Sequence, residues 1–382
     1  RIYLMVENIE VSVVIPCLNE EKTIASCVDK AMKSFAEGGL RGEVIVVDNG
    51  STDQSKAIAA ARGAKVIDET RKGYGSALRR GIDEAQGSYI IMADGDDTYD
   101  FSLSHKFVGK LKEGYDLVMG SRFRGKILPG AMSWSHRYVG NPILSGMLRL
   151  FFGGTVSDSH CGLRAFTKDA YKKMGLHTTG MEFASEMVIH SLKKKLKIAE
   201  IPIIYYARLG ESKLASFRDA WRHMRFMLVY SPGYLFLLPG AAVFTASFLL
   251  SCRLLLGPIY WLGRPWDIHV MVFSAMFTLL GWEILNLGHA AKMFAYEISL
   301  EQSRYALTAS KFVTLEKSLL LGTFFILSGF AIMTLIIYKW ANNNFGELSE
   351  VKTGVFSLTL IVMGFQTIFT AFLSGMLSIK YR

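Results

Sequence analysis

The chain has 382 residues, with 43 Lys and Arg against 33 Asp and Glu, a formal charge of +10. At 51% hydrophobic and 20% charged, it is too apolar for a disordered chain and too charged to lie wholly in a bilayer, so a soluble part joined to a membrane part is expected. Four scattered cysteines (Cys17, Cys27, Cys161, Cys252), with no CxxC pair or Cys/His cluster, exclude a disulfide framework and a structural zinc site, and point to reduced, cytosolic thiols.

Residues 1–10 contain no apolar run of leader length ahead of Glu7 and Glu10, so the soluble part is expected to stay in the cytosol. Short apolar runs follow at 11–16, 43–48, 64–67 and 88–93, and helical patterns fill the gaps at 20–35, 54–62 and 75–85. This alternation predicts an α/β domain built on a parallel sheet. Three of the runs end in polar sequence: Pro16 to Glu20, Asp48 to Asp53, and Asp94 to Asp97. Ligands of open parallel sheets bind at the carboxyl ends of the strands, so these segments should meet in one crevice. Acids at such ends can also serve merely as helix caps.

Asp94 and Asp96 follow a buried strand at i and i+2, which sends both carboxylates to one side. Such a pair suits Mg²⁺ or Mn²⁺, which take oxygen ligands and keep positions open for phosphates. Asp97, at i+3, reads as a turn residue. The chain has no GxxxxGK[ST] loop. Gly73 lies in a Lys72-Gly73-Tyr74-Gly75 turn before a helix, where backbone N–H groups can touch a nucleotide. Glu182 and Glu186, four apart, share a helical face. They can accept sugar hydroxyls, orient arginines, or simply form salt bridges.

Residues 214–230 carry two helical stripes, Phe217, Trp221, Met224 and Leu228 beside Arg218, Arg222 and Arg225. They predict an amphipathic helix at the lipid surface over 213–231, the alternative being a helix packed on the soluble domain. Beyond residue 230 come four apolar stretches, 233–251, 268–291, 318–338 and 353–379. The third spans 21 uncharged residues, about 32 Å as a helix. Four transmembrane helices are therefore expected in 232–382, after a soluble domain over 1–212. Lys292, Arg304, Lys311 and Lys317 between the second and third spans, with Lys380 and Arg382 after the fourth, place the soluble domain and the C-terminus in the cytoplasm. Glu283 inside the second span shares a face with Asn286, suggesting a hydrogen bond between spans.

The ordered motifs IPCLNEE, VVDNGSTD, GYGSALRRG, ADGDD, GSRF, SDSHCGLRAF, GMEFASEM and RLGESKL resemble family-2 glycosyltransferases of the GT-A fold. Among these they look most like the polyprenyl-phosphate type, the dolichol-phosphate glucose and mannose synthases. The resemblance covers about residues 11–230. It implies an inverting transfer of a sugar, with UDP-glucose favoured over GDP-mannose or UDP-GlcNAc, from a nucleotide-sugar to a polyprenyl or dolichyl phosphate. The implied cofactor is Mg²⁺ or Mn²⁺. The implied partners are the nucleotide-sugar, the lipid phosphate and the bilayer, with no nucleic acid and with room for a homo-oligomer.

Carried onto this chain, Pro16, Asn19 and Glu20 match the base-binding segment and Asp48 a second base and ribose contact. Asp94 and Asp96 match the metal and diphosphate pair, with Thr98 at a further polar metal position. Arg122 resembles a phosphate-binding arginine, and Arg137 and Asn141 of HRYVGN an acceptor-phosphate grip. Arg164, Arg208 and Lys213 match basic positions near the diphosphate or acceptor. Asp96, Arg122 and Arg137 are the implied catalytic residues, and Glu182 is a candidate sugar contact. A lipid phosphate is already anionic near neutral pH, so this chemistry needs no general base. The competing readings are a processive polysaccharide synthase, disfavoured by the lack of a QxxRW motif, and a non-catalytic nucleotide-sugar scaffold or lipid-linked sugar carrier.

Overall fold

The computed structural model describes residues 9–209, 216–297 and 313–377. The chain divides into two compact units, 1–227 and 228–382.

The first unit begins with the expected alternation: β1 (Val11–Cys17), α1 (Ile24–Gly38), β2 (Gly42–Asp48), α2 (Ser55–Ala61), β3 (Lys65–Asp68), α3 (Tyr74–Glu84) and β4 (Tyr89–Met92). It continues through α4 (Ser104–Lys112), β5 (Leu117–Ile127), α5 (Asn141–Phe152), β6 (Arg164–Thr167), α6 (Lys168–Met174), α7 (Phe183–Lys193), β7 (Ile198–Tyr205) and α8 (Ser216–Val229). Seven strands form one sheet in the order β3-β2-β1-β4-β6-β5-β7. Val13, Val14 and Ile15 of β1, and Ile45, Val46 and Val47 of β2, are fully buried. Covering on both faces is why these strands read as unbroken apolar runs. Helix α1 packs Ile24, Cys27, Val28, Ala31 and Phe35 into the core, one stripe at helical spacing.

The last three strands, β5, β6 and β7, were not among the apolar runs. Strand β6 also breaks the parallel rule. It runs antiparallel to both β4 and β5, with Met92 opposite Arg164 and Met119 opposite Arg164. Its start therefore lies on the same sheet edge as the ends of β1, β2, β4 and β5.

Helix α8 corresponds to the amphipathic helix expected at 213–231. Residues 210–215, Lys213 included, lie outside the described residues. Its buried positions are His223 and Met227, whereas Trp221 is half exposed. His223 Nδ1 is 2.8 Å from Ser185 Oγ, and its ring meets His160 edge-on at 4.8 Å. Among the described side chains of α8, the buried positions thus lie away from Trp221.

The second unit contains α9 (Leu238–Leu255), a short hairpin of β8 (Ile259–Trp261) and β9 (Arg264–Trp266), α10 (Ile268–Glu297), α11 (Leu315–Asn342) and α12 (Val351–Leu377). Among the described residues, four helices are long and apolar enough to cross a membrane. They pack through small residues and hydroxyls, as membrane helices do when lipid removes the hydrophobic drive. Ser251 pairs with Ser274 at 2.8 Å, Thr278 donates to Ser247 at 3.1 Å, and Ser357 donates to the Gly329 carbonyl at 2.9 Å. The observed bond from α10 to α12 is made by Trp282, whose Nε1 donates to Thr367 Oγ1 at 3.1 Å. The amide nitrogen of Asn286 is buried without a partner, so the bond expected at Glu283 and Asn286 falls on their neighbour. A Cβ on Gly364 would lie 2.6 Å from Ile326 Cγ1. Gly364→Leu should therefore force α11 and α12 apart and cost about 1–3 kcal/mol, read as a lower unfolding midpoint in detergent. Gly354→Leu, which meets open space, should leave the midpoint unchanged.

Candidate active site

The loops at the carboxyl edge of the sheet are tied to one another by side chains named in the sequence. Asn19 takes a left-handed backbone, φ 53°, and its Oδ1 accepts from Thr52 N at 2.8 Å. Asp48 is 3% exposed, and its carboxylate accepts from Gly50 N and Ser51 N at 3.0 and 3.1 Å. It shapes the turn after β2. Pro16, the penultimate residue of β1, lies beside Val47. Asn49, which sequence reasoning passed over, anchors the facing loop. Its Nδ2 donates to the Glu69 and Arg71 carbonyls, and its Oδ1 accepts from Gly73 N at 2.8 Å. Gly73 has φ 137°, and a side chain there would run into the Thr179 carbonyl. That carbonyl also accepts from Ser76 N at 3.0 Å. The Gly73 N–H is thus engaged by protein.

The carboxylates after β4 form the centre. Asp96 is 7% exposed, and its Oδ1 accepts from Thr98 Oγ1 at 2.6 Å and Thr98 N at 3.2 Å. Thr98, itself 2% exposed, spends its hydroxyl on orienting Asp96. Arg208 bridges two loops, with Nη1 3.3 Å from Asp96 Oδ2 and Nη2 3.0 Å from Glu20 Oε1. Asp94 accepts a hydrogen bond from Tyr74. Burial, and next the charge of Asp96, push the Asp94 carboxyl up to about 7, while the Tyr74 bond, Arg208 and Arg122 oppose the rise. Asp97 turns away, paired with Lys30 at 2.7 Å and accepting from Ser26 at 2.9 Å, as its turn assignment implies.

Arg122, at the end of the buried part of β5, is clamped by Asp158. Its Nε donates to Oδ2 at 2.7 Å and its Nη2 to Oδ1 at 2.8 Å, over the Tyr205 ring at 5.2 Å. This planar, bidentate grip fixes the guanidinium and leaves its Nη1 donors outside the clamp. Asp158 is fully buried. It lies within the SDSHCGLRAF motif but carried no spacing signal of its own.

Arg164 is corrected. It has no exposed surface, and it donates to the carbonyls of Cys161 at 2.9 Å, Ser159 at 2.8 Å, and Ala184. A side chain sealed in this way reaches no phosphate; it closes the 159–163 loop. Glu186 is corrected likewise. Fully buried, it accepts from His177 N at 3.0 Å, Thr178 N at 3.0 Å and Thr178 Oγ1 at 2.6 Å, holding the loop that covers the start of α3. Glu182, by contrast, keeps a buried Oε2 without a partner.

Arg137 and Asn141 lie outside the carboxylate cluster. They follow β5, on a π turn (His136–Gly140) and at the start of α5, one helical turn apart. The Arg137 guanidinium is 5.3 Å from the Tyr138 ring. Around them Trp134, Tyr138, Ile143 and Leu150 are all more than half exposed.

The chain is similar to known proteins along both its parts. Residues 12–175 match the model of glycosyl transferase family 2, and residues 289–378 match the glycosyltransferase family 2 C-terminal transmembrane region. The low-salt glycan biosynthesis hexosyltransferase Agl6 of Haloferax volcanii is 38% identical over 367 residues, covering 96% of this chain and 88% of the relative. A dolichyl-phosphate hexose transferase of the same organism is 32% identical over 210 residues, 54% of this chain and 88% of that one. Among solved structures, glucosyl-3-phosphoglycerate synthase of Mycobacterium tuberculosis is 25% identical, covers 58% of this chain and 78% of its own, and has a TM-score of 0.47. With 38% identity to one such enzyme over nearly its whole length and a family match in each part, the chain belongs to glycosyl transferase family 2 and is a membrane glycosyltransferase.

Proposed function

We propose that the chain moves a hexose from a nucleotide-sugar to a polyprenyl or dolichyl phosphate with inversion at the anomeric carbon, UDP-glucose being the favoured donor. The observation that carries this reading is the carboxylate pair Asp94 and Asp96 flanked by Arg208 and Arg122, in a chain with four membrane-length helices. The relative named a dolichyl-phosphate hexose transferase supports the acceptor.

A lipid phosphate oxygen attacks the anomeric carbon, the bond from that carbon to the diphosphate oxygen breaks, and a nucleoside diphosphate leaves. Fixed cations near the diphosphate stabilise the charge it gains. Arg122, held rigid by Asp158, and Arg208 are the residues proposed for that work. Asp94 and Asp96 lie close enough for one charge to raise the pKa of the other, a donor pair suited to a hard divalent cation. Among the described residues no third His, Cys, Asp or Glu joins them, which leaves the remaining positions to phosphate and water oxygens. Mg²⁺ or Mn²⁺ held there would supply Lewis-acid charge to the leaving diphosphate. Thr98 serves this site by orienting Asp96.

Arg137 and Asn141 suit the acceptor phosphate, because the exposed apolar side chains of the same segment fit a lipid environment. Asn19, Glu20 and Asp48 shape the nucleotide side. The lysine- and arginine-rich segment between the second and third spans supports a cytoplasmic catalytic unit.

Glu182 is proposed to accept a hydroxyl of the transferred sugar through its unpartnered oxygen. Glu182→Gln should raise KM for the donor about tenfold, with binding of the sugar-free nucleoside diphosphate unchanged. An equal loss for both ligands would remove Glu182 from the sugar.

The function is tested with purified protein in detergent, Mg²⁺ or Mn²⁺, a short polyprenyl phosphate, and UDP-Glc, UDP-GlcNAc, UDP-Gal or GDP-Man in turn. Glycolipid from one donor, lost on adding EDTA, is the expected result. Nucleotide binding without product from any donor would favour the scaffold or carrier instead.

A further inference from the structure

We infer that Glu200 is a positioning residue for Arg122, acting through the 157–158 backbone and Asp158. The inference rests on the diphosphate role proposed above for Arg122.

Glu200 stands in β7 opposite Met119 of β5, and its side chain is 5% exposed. Its Oε1 accepts from Ser157 N at 2.8 Å, Ser157 Oγ at 2.9 Å and Asp158 N at 3.3 Å. Asp158 in turn holds the Arg122 backbone N–H at 3.0 Å and its guanidinium at two points. Ser157 Oγ is also 2.7 Å from Ser121 Oγ, beside Arg122. On its outer side Glu200 Oε2 meets Arg124 Nη2 at 3.2 Å, and Arg124 is half exposed.

Positive and negative groups thus alternate from the surface to the site: Arg124, Glu200, the 157–158 amides, Asp158, Arg122. Carboxylates this buried need such donors as hydrogen-bond partners. The chain also fixes geometry. A bidentate clamp aims Arg122 only if Asp158 is itself held, and the bonds from the Ser157 and Asp158 amides converge on the one Glu200 oxygen. Groups that orient a functional side chain in this way are commonly worth about 10–100-fold in activity.

A cavity of about 450 Å³ lies against Glu200, with Arg124, Lys110 and Val156 in its wall. Shortening Glu200 would extend that cavity to the Ser157 and Asp158 amides, so a small carboxylate entering from solvent can replace the missing acceptor.

The test uses the full chain in detergent with the donor and lipid phosphate that wild type turns over. Glu200→Ala should lower kcat/KM by about 10–100-fold, and acetate or formate should restore it saturably while leaving wild type unaffected. Glu200→Gln, which keeps an oxygen for the amides, should stay within about threefold of wild type. In an Arg122→Ala background, Glu200→Ala should add less than about twofold, because both changes disable one unit. If Glu200→Ala does not fold, Glu200→Asp supplies the same cycle, its acceptor withdrawn by one methylene. An unimpaired Glu200→Ala, or a loss that persists in full in the Arg122→Ala background, would overturn the inference. A fully active Arg122→Ala single variant would instead refute the role proposed for Arg122.

Discussion

Asp96→Asn is expected to lower glycolipid formation by about 10³-fold while leaving the fold intact. The amide oxygen still accepts from Thr98, whose hydroxyl is 2.6 Å away, so the loop after β4 keeps its shape. What disappears is half of the negative charge that a divalent cation and Arg208 would share. The same substitution removes the like charge beside Asp94 and lets its pKa fall. A pH signature follows. The Asp94 carboxyl stands at about 7 in the folded chain against an ordinary 3.8, so it holds its proton more tightly folded than unfolded. Its contribution to stability is therefore largest below about pH 4 and declines as the pH rises toward 7. Thermal unfolding of metal-free protein should show a midpoint that falls over this range relative to Asp94→Asn. Saturating Mn²⁺ should flatten the difference, because the cation favours the ionised carboxylate. An Asp96→Asn enzyme as active as wild type, or a pH trend identical in wild type and Asp94→Asn, would refute the assignment of this pair.

Arg164→Ala should lower the unfolding midpoint of the catalytic unit by about 10 °C, the equivalent of about 3–5 kcal/mol. The guanidinium is fully buried and reaches three carbonyls, those of Cys161, Ser159 and Ala184. Truncation leaves those acceptors without donors, and it hollows the junction between the 159–163 loop and the start of α7. Burial lowers the Arg164 pKa, with the charge of Asp158 among the opposing causes, yet guanidinium remains charged, and the carbonyls it donates to help to stabilise it. Arg164→Lys should lose nearly as much, because a single ammonium on a flexible stem cannot match three acceptors spread around a planar fork. Circular dichroism melts of both variants check this. A variant that melts like wild type but has lost donor binding would return Arg164 to the phosphate site that the motif resemblance implied.

The first four strands and the four membrane-length helices were legible in the sequence because each carries a run of apolar residues, buried in the sheet core for β1, β2 and β4 and long enough to cross a membrane in the helices. The carboxyl-edge crevice followed from strand ends in the same way. The three strands that carry Arg122, Arg164 and Glu200 left no such mark. Strand β6 is four residues long, and β5 leaves the core at Arg122 to run on through exposed Arg124 and Lys126. Their pairing, including the reversal that brings Arg164 opposite Met92, is a property of the assembled sheet. The fate of each charged side chain was decided there too. Arg122, Arg164 and Arg208 are the same chemical group in similar motif settings, yet one is clamped by Asp158, one is sealed among carbonyls, and one bridges Glu20 and Asp96. Those partners lie 36, 20 and 188 residues away for Asp158, Ala184 and Glu20. Hydrogen bonds over such separations depend on strand register and loop path, which local residue patterns do not encode. The kinds of group proposed for the site were therefore present in the linear chain, and only the tertiary structure decided which partners each of them meets.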